Sequence, residues 1–434
     1  MNIWIENGEK RQYTDYGCSP QILLKTIAWL REKKETLVSI DLALYLFNND
    51  ILLNALLELA DAGCKVTVYS IPLEGYDDKS RANIYSFKNG DLIGNFTKYE
   101  IAREIYGKIQ KLRHPHFEFR IVPHMYLRSP RVKPFSRGKM PYSLHCKTFL
   151  AKCKDDSYYA GITSSNLAVR DEEKNEIAAI IQIDQKDSCS ARDFFAGLYE
   201  NSVNIYDFDE TADYFQFPIK MRPQPKTEGL NYTAPFYYNS SVTFENDIIS
   251  ILLQAKRKIF VCAQHISAYN YSYNAAFRGD QVGYVTQPGF LDTVLKSAQQ
   301  NESQRTQVFL LSQTYVDAEG DHGCRAPENK ARFIDFAETA KKCGCHYRAN
   351  KQLHSKYIVT DNASLISTSN FTPTQFIYLP DVDIPRFDLI PNCAYKGIFC
   401  EFGAYYVSRD PDFIGFLKDY SNKLWADNNT IRMF

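Results

Sequence analysis

The chain has 434 residues, 44% of them hydrophobic, with 51 Lys plus Arg balanced by 51 Asp plus Glu. That length accommodates two sizeable cores, and the zero net charge excludes a chain-wide polybasic character, so affinity for a polyanion must be local. No apolar run reaches the roughly 20 residues needed to cross a bilayer, and the start, MNIWIENGEKRQY, has no basic region followed by an apolar core, which argues against export. The expectation is a cytoplasmic protein with no stable membrane association. Eleven irregularly spaced cysteines suit free thiols in a reducing compartment better than a disulfide framework.

In chain order, TLVSIDLALYLF at 36–47 is β-rich, 50–62 has helical spacing of Leu and Ala, Gly63 stops that helix, and CKVTVYS at 64–70 alternates like a strand. The segment from Lys111 to Lys139 carries Lys111, Arg113, Arg120, Arg128, Arg131, Lys133, Arg137 and Lys139 against Glu118 alone, eight minus one, or +7. Phe119, Tyr126 and Phe135 are interleaved with those charges, a mixture suited to phosphates and base stacking. A solvated basic loop remote from any site is an equal alternative.

Around residues 205–235, Pro218, Pro223, Pro225 and Gly229 break regular structure and mark a connector. Beyond it the order of elements recurs: a helix and a strand from Asp247, a helix from Phe290 and a strand from Thr306. Strands alternating with helices in each half predict α/β architecture, with domains at 1–225 and 226–434. Cys343, Cys345 and His346 lie close together but lack a matching pair at zinc-site spacing.

The candidate chemistry sits in LHSKYIVTDNASLISTSNF at 353–371. On a strand, residues two apart share a face, so His354 and Lys356 project together, one able to exchange a proton or attack phosphorus, the other permanently cationic. Asp361 and Asn362 suit a turn, and the returning strand brings Thr368 and Asn370 back beside His354. LHCKTFLAKCKDDSYYAGITSSNL at 144–167 repeats the constellation with His145, Lys147, Ser164 and Asn166. A lone His-x-Lys is commonplace; two, each followed by a strand ending in Asn, are not.

This paired pattern resembles the phospholipase D superfamily, whose signature is His-x-Lys, four residues, Asp, then a Gly/Ser-rich turn and Asn. The second copy matches through Asp361, with Ser367-Thr368-Ser369-Asn370 at the turn; the first departs, with Lys152 in place of the Asp, Thr163 in place of the Gly and a longer hairpin. The family's acidic residue beyond the Asn falls at Glu176 in one half and Glu401 in the other, and the helix from Phe416 to Trp425 resembles its closing segment.

The resemblance implies two tandem lobes, each a mixed, mostly parallel β-sheet flanked by helices, related by a pseudo-twofold. It also implies a metal-independent phosphodiesterase needing no cofactor and complete as a monomer. His145 would be the nucleophile forming a phosphohistidine and His354 the general acid, although the fuller second motif could argue the reverse. Lys147, Lys356, Asn166 and Asn370 would hold the phosphate oxygens, and Glu176 and Glu401 would each hold one imidazole. Ser164, Thr368, Arg128, Arg131, Lys133 and Arg137 are candidate substrate-binding residues. A nuclease with nucleic acid as substrate leads; a phospholipase or phosphatidyl transferase follows, and a non-catalytic nucleic-acid-binding module stands third.

Overall fold

A computed structural model describes residues 3–7, 10–72, 92–122, 125–126, 141–142, 144–168, 174–208, 220, 222–237, 240–264, 266, 290–299, 306–313, 337–371 and 401–433. The first lobe begins with β1 (Ile3–Asn7), β2 (Lys10–Cys18) and α1 (Ser19–Glu32). It continues through β3 (Leu37–Leu44), α2 (Asp50–Asp61), β4 (Lys65–Ser70), α3 (Leu92–Leu112) and β5 (Phe117–Ile121). A separate two-stranded ribbon, β6 (Met125–Tyr126) with β7 (Pro141–Tyr142), precedes the hairpin of β8 (Lys147–Cys153) and β9 (Tyr158–Thr163). The lobe closes with β10 (Asn175–Ile183), α4 (Gln185–Glu200) and β11 (Val203–Asn204).

The second lobe runs β12 (Leu230–Thr233), α5 (Ser240–Leu253), β13 (Lys258–Ala263), α6 (Phe290–Gln299), β14 (Gln307–Ser312) and β15 (His346–Asn350). Its hairpin is β16 (Tyr357–Thr360) with β17 (Ser364–Ser367), followed by β18 (Gly403–Ser408), α7 (Pro411–Ala426) and β19 (Thr430–Arg432).

Local chemistry explains these elements. The α2 helix starts where Asn49 Oδ1 accepts the N–H groups of Ile51 and Leu52, satisfying two otherwise orphaned donors. Its Leu52, Leu53, Leu56 and Leu59 face the core, and Gly63 ends the turn at φ +89°, a conformation open to glycine. Asp410 caps α7, with Pro411 in its first turn.

The sheet orders show the internal repeat. The nine-stranded sheet runs β1-β2-β10-β9-β8-β3-β4-β5-β11 and the eight-stranded sheet β12-β18-β17-β16-β13-β14-β15-β19. Six consecutive strands correspond one to one: β10, β9, β8, β3, β4, β5 match β18, β17, β16, β13, β14, β15. Both sheets are mixed; parallel pairing is confined to β3-β4-β5 and β13-β14-β15, and the remaining pairs are antiparallel. Part of the antiparallel share comes from the hairpin that each lobe inserts beside its parallel strands, and the rest from the outer strands, as in β1-β2, β2-β10, β5-β11, β12-β18 and β15-β19; the helix-strand alternation in the sequence shows neither.

One buried cluster fills the first lobe and continues through Tyr232, Leu353, Tyr357 and Phe402 into the second; another, including Ile248, Val261 and Tyr405, lies within the second lobe. Among the described residues no helix is long and apolar enough to cross a membrane. Cys64, Cys146, Cys153, Cys189, Cys262, Cys343 and Cys345 carry free thiols.

Candidate active site

Each His-x-Lys pair lies where the chain enters the first hairpin strand. Lys147 opens β8 opposite Leu44, the last residue of β3, so the motif sits at the carboxyl end of the parallel strands. In the second lobe Tyr357 opens β16 opposite Cys262 near the end of β13. The hairpins return to the same end: Ser367 N–H donates to Lys356 O at 2.9 Å, which carries Asn370 back toward His354.

The lobes meet at these ends. Asn175 N–H donates to Gln352 O at 2.7 Å, and Asn175 O accepts the N–H groups of His354 at 3.1 Å and Ser355 at 2.9 Å. The first lobe thus holds the second motif by its backbone. Ser355 Oγ also donates to Asn175 O at 2.8 Å and lies 2.6 Å from the Tyr420 hydroxyl.

This junction crosses the carboxylates over. Glu176, from the first lobe, places Oε1 2.7 Å from His354 Nδ1 in the second, and Glu401, from the second, places Oε2 3.3 Å from His145 Nδ1 in the first. A carboxylate at Nδ1 draws the ring proton to that nitrogen and leaves Nε2 for chemistry. The two pairs differ in surroundings. Glu176 is fully buried and accepts a second bond from Ser164 Oγ at 2.5 Å, whereas the side chains of His145 and Glu401 keep 21% and 18% of their surface.

Lys147 and Lys356 are both fully buried, and each amine reaches back to its own motif: Lys147 Nζ donates to His145 O at 2.8 Å, and Lys356 Nζ donates to His354 O. Burial pushes the Lys356 amine well below its ordinary value; Glu176 opposes this, and Lys147 and Lys174 add to it by repulsion. Burial thus works against the charge expected of this lysine, and an anion arriving beside it favours the protonated form. Lys174 is a cation that the motif reading missed. It is 7% exposed and lies two residues before Glu176, hence on the same side of an extended segment, which is the one signal in the sequence that could have found it.

Several expected substrate contacts prove to be internal. Ser164 and Thr368 are fully buried; Ser164 holds Glu176, and Thr368 Oγ1 accepts Ala404 N–H at 3.0 Å to join the turn to β18. Asn166 is half-buried and Asn370 is 9% exposed, each three residues beyond the end of its hairpin's returning strand. Arg128, Arg131, Lys133 and Arg137 lie outside the described residues, as do Lys139 and Phe135. Of the same segment, Arg120 is buried in an ion pair with Glu118 at 2.5 Å. Arg113 lies 4.0 Å from the Tyr206 ring, and Phe119 packs in the core against Phe47 and Tyr106. These three belong to the sheet edge at β5, separated from β8 by β3 and β4, so they are packing residues and no part of a phosphate or base platform.

The unequal motifs are also explained. The Asp361 carboxylate accepts the N–H groups of Lys256, Arg257 and Lys258 at 3.1 Å, pinning the chain as it enters β13. Burial pushes this carboxyl up, but the N–H groups of Lys258, Arg257 and Lys256 outweigh it and hold the group below its ordinary range. Lys152, in the corresponding place, pairs at the surface with Asp156 at 2.8 Å. Neither touches a histidine in the described contacts, so the missing Asp is a difference in scaffolding.

Among the described residues no cluster of three or more His, Cys, Asp or Glu is arranged to hold a metal; His346 instead stacks on Phe309 at 4.8 Å, and Cys343 Sγ accepts Gln299 Nε2 at 3.1 Å. Burial pushes the Cys146 thiol, between His145 and Lys147, up to about 12, far from a nucleophilic thiolate at neutral pH.

No protein-family model and no curated protein matches the sequence. Among solved structures, the phosphatidylserine synthase of Haemophilus influenzae Rd KW20 is similar over 100% of this chain and 89% of the synthase, with a TM-score of 0.55 at 12% identity. The polyphosphate kinase of Porphyromonas gingivalis is similar over 96% of this chain, with a TM-score of 0.53 at 11% identity; the chain spans 51% of that kinase's length. A phospholipase D family member, Nuc from Salmonella typhimurium, aligns with 47% of this chain and 95% of its own, with a TM-score of 0.28 at 12% identity. The fold is the two-lobed α/β fold of the phospholipase D superfamily, and at these identities the likeness is one of fold.

Proposed function

We propose that this chain is a phosphodiesterase working through a phosphohistidine, with one active centre assembled from lobes at 1–225 and 226–434. The observation that carries the reading is the crossed pairing, in which each lobe's carboxylate holds the other lobe's imidazole. Such an arrangement serves catalysis by two histidines acting on one group.

In the first step the Nε2 lone pair of His145 attacks phosphorus. The P–N bond forms as the P–O bond to the leaving alkoxide breaks, and the imidazolium of His354 gives its Nε2 proton to that oxygen. In the second step, neutral His354 takes a proton from water, whose oxygen attacks phosphorus and displaces His145. The asymmetry supports this division. The acid must begin charged, and His354 has a buried carboxylate at 2.7 Å to stabilise its imidazolium. The nucleophile must begin neutral, and His145 has the longer, more exposed pair. Lys147, Lys356, Asn166 and Asn370 supply the positive charge and donors that a five-coordinate phosphorus needs, so no metal is required for charge stabilisation.

Nucleic acid is the proposed substrate, supported by the +7 segment ahead of His145; five of its cations, Arg128, Arg131, Lys133, Arg137 and Lys139, are left once Arg113 and Arg120 are assigned to packing and Lys111 to the end of α3, at the amino end of the parallel strands. Phosphatidyl transfer is the second reading, favoured by the match to a phosphatidylserine synthase along the whole chain. Incubation with labelled single-stranded DNA, duplex DNA, RNA and phosphatidyl lipids in EDTA separates them. Cleavage of a nucleic acid is expected, with activity intact in EDTA; turnover of lipid alone overturns the substrate assignment. Mass spectrometry of the acid-labile adduct is expected to find phosphate on His145, and modification of His354 alone reverses the two roles.

A further inference from the structure

The pseudo-twofold relates an arginine neutralised by a carboxylate in the first lobe to one in the second whose cavity has no carboxylate among its described lining residues. With the lobes superposed on the residue after each motif lysine, the strand registers carry Asp41 onto Phe260 and Thr67 onto Phe309. They carry Glu118 onto His346, Arg120 onto Arg348 and Asn204 onto Arg432. The two arginines are built alike. Arg120 lies 3.8 Å from the Tyr199 ring near the end of α4 and donates to Tyr199 O at 3.1 Å. Arg348 lies 4.6 Å from the Trp425 ring near the end of α7 and donates to Trp425 O at 2.5 Å.

Their surroundings differ in charge. Arg120 is neutralised by Glu118 at 2.5 Å, and Asn204 donates to the same carboxylate at 3.3 Å. In the second lobe His346 stands in place of that Glu and Arg432 in place of that Asn, so two arginines face each other directly across antiparallel strands, a placement that like charges disfavour. At this place the second lobe has a cavity of about 450 Å³ lined by Lys341, Arg348 and Arg432 together with Phe309, His346 and Trp425. Among the described residues no Asp or Glu lines it. Lys258 adds a further cation 4.5 Å over the Phe309 ring.

We infer that this cavity is a binding site for a nucleoside phosphate, its phosphate taken by Arg348, Arg432 and Lys341 in place of the missing carboxylate and its base laid against Trp425, His346 and Phe309. Guanidinium groups match phosphate geometry, and every base has a face that stacks on an aromatic ring. His346 opens β15 while the chain leaves Asn350 toward His354, which puts the cavity about 13 Å or more along the strand from the active centre. The ligand could come as a free nucleotide or as one unit of a strand. The inference stands apart from the proposed catalysis, because binding at this cavity requires neither histidine.

Calorimetric titration of the full chain with adenosine monophosphate, adenosine, inorganic phosphate and a short deoxyadenosine oligonucleotide tests it. The monophosphate is expected to bind more tightly than either of its parts; a markedly tighter oligonucleotide identifies a strand as the source, and equal affinities identify the free nucleotide. Lys341→Gln with Arg432→Gln, both on the exposed rim, is expected to weaken binding by about tenfold or more. His346→Glu, which rebuilds the first lobe's ion pair, is expected to abolish binding while the protein stays folded. The variant with both His145→Ala and His354→Ala is expected to bind as the parent does. Absence of binding by both nucleotide and oligonucleotide, unchanged affinity in His346→Glu, inorganic phosphate binding as tightly as the monophosphate, or loss of binding in the histidine variant each overturns the inference.

Discussion

The two half-sites contain the same four residue types in different settings, and the difference separates chemistry from scaffolding. His354 sits in a dry, backbone-clamped junction, held by a carboxylate that Ser164 fixes from behind. His145 is held more loosely and nearer to solvent. The more complete motif is the better braced one, but its extra residue, Asp361, braces the start of β13 and not the imidazole. Motif completeness and catalytic role are therefore separate properties in this fold.

The largest effect expected tests whether the halves act as one centre. His145→Ala and His354→Ala should each lower turnover by roughly a thousandfold or more, with the double variant no worse than either alone, as for groups that work as a unit. Additive losses in single-turnover rates would mean two independent sites. Next, Glu176→Gln should reduce the rate by as much as about 10⁴, the scale for a buried carboxylate that sets a catalytic imidazole's tautomer. Glu401→Gln, with its longer and wetter contact, should lose about 10- to 100-fold. Equal losses would erase the asymmetry from which the acid and nucleophile were assigned.

Scaffolding should register in stability. Asp361→Ala strips a carboxylate from three backbone donors and should destabilise the fold by roughly 2–3 kcal/mol. Lys152→Ala at the matching surface place should leave stability nearly unchanged. Denaturant titration compares them directly.

The smallest effect concerns the sheet interior. Burial raises the Asp41 carboxyl to about 6, against the lowering influences of Thr67 and Lys65. A folded-state value above the unfolded one, about 3.9, means stability is greatest in acid and falls as pH rises through about 6. Asp41→Asn should abolish that fall and raise the melting temperature at neutral pH. The second lobe has Phe260 at this position, so Phe260 variants should leave the pH dependence unchanged.

Much of this was determined locally and so was legible in the sequence: α2 follows from its leucine spacing and the stop at Gly63, and the second hairpin from Asp361 and Asn362 at its turn. The repeated order of elements announced two lobes. Only the tertiary structure decided which carboxylate serves which histidine, because Glu176 and His354 are 178 residues apart and meet through lobe packing. Packing also turned Ser164 and Thr368 from candidate ligands, and Arg120 from one charge of the basic segment, into internal struts, since a hydroxyl or guanidinium spends its bonds on whatever the fold brings within reach. The same holds for the lowered Lys356 amine and the cavity beside Arg348: burial and the sum of neighbouring charges depend on the assembled chain, and no spacing of residues encodes them.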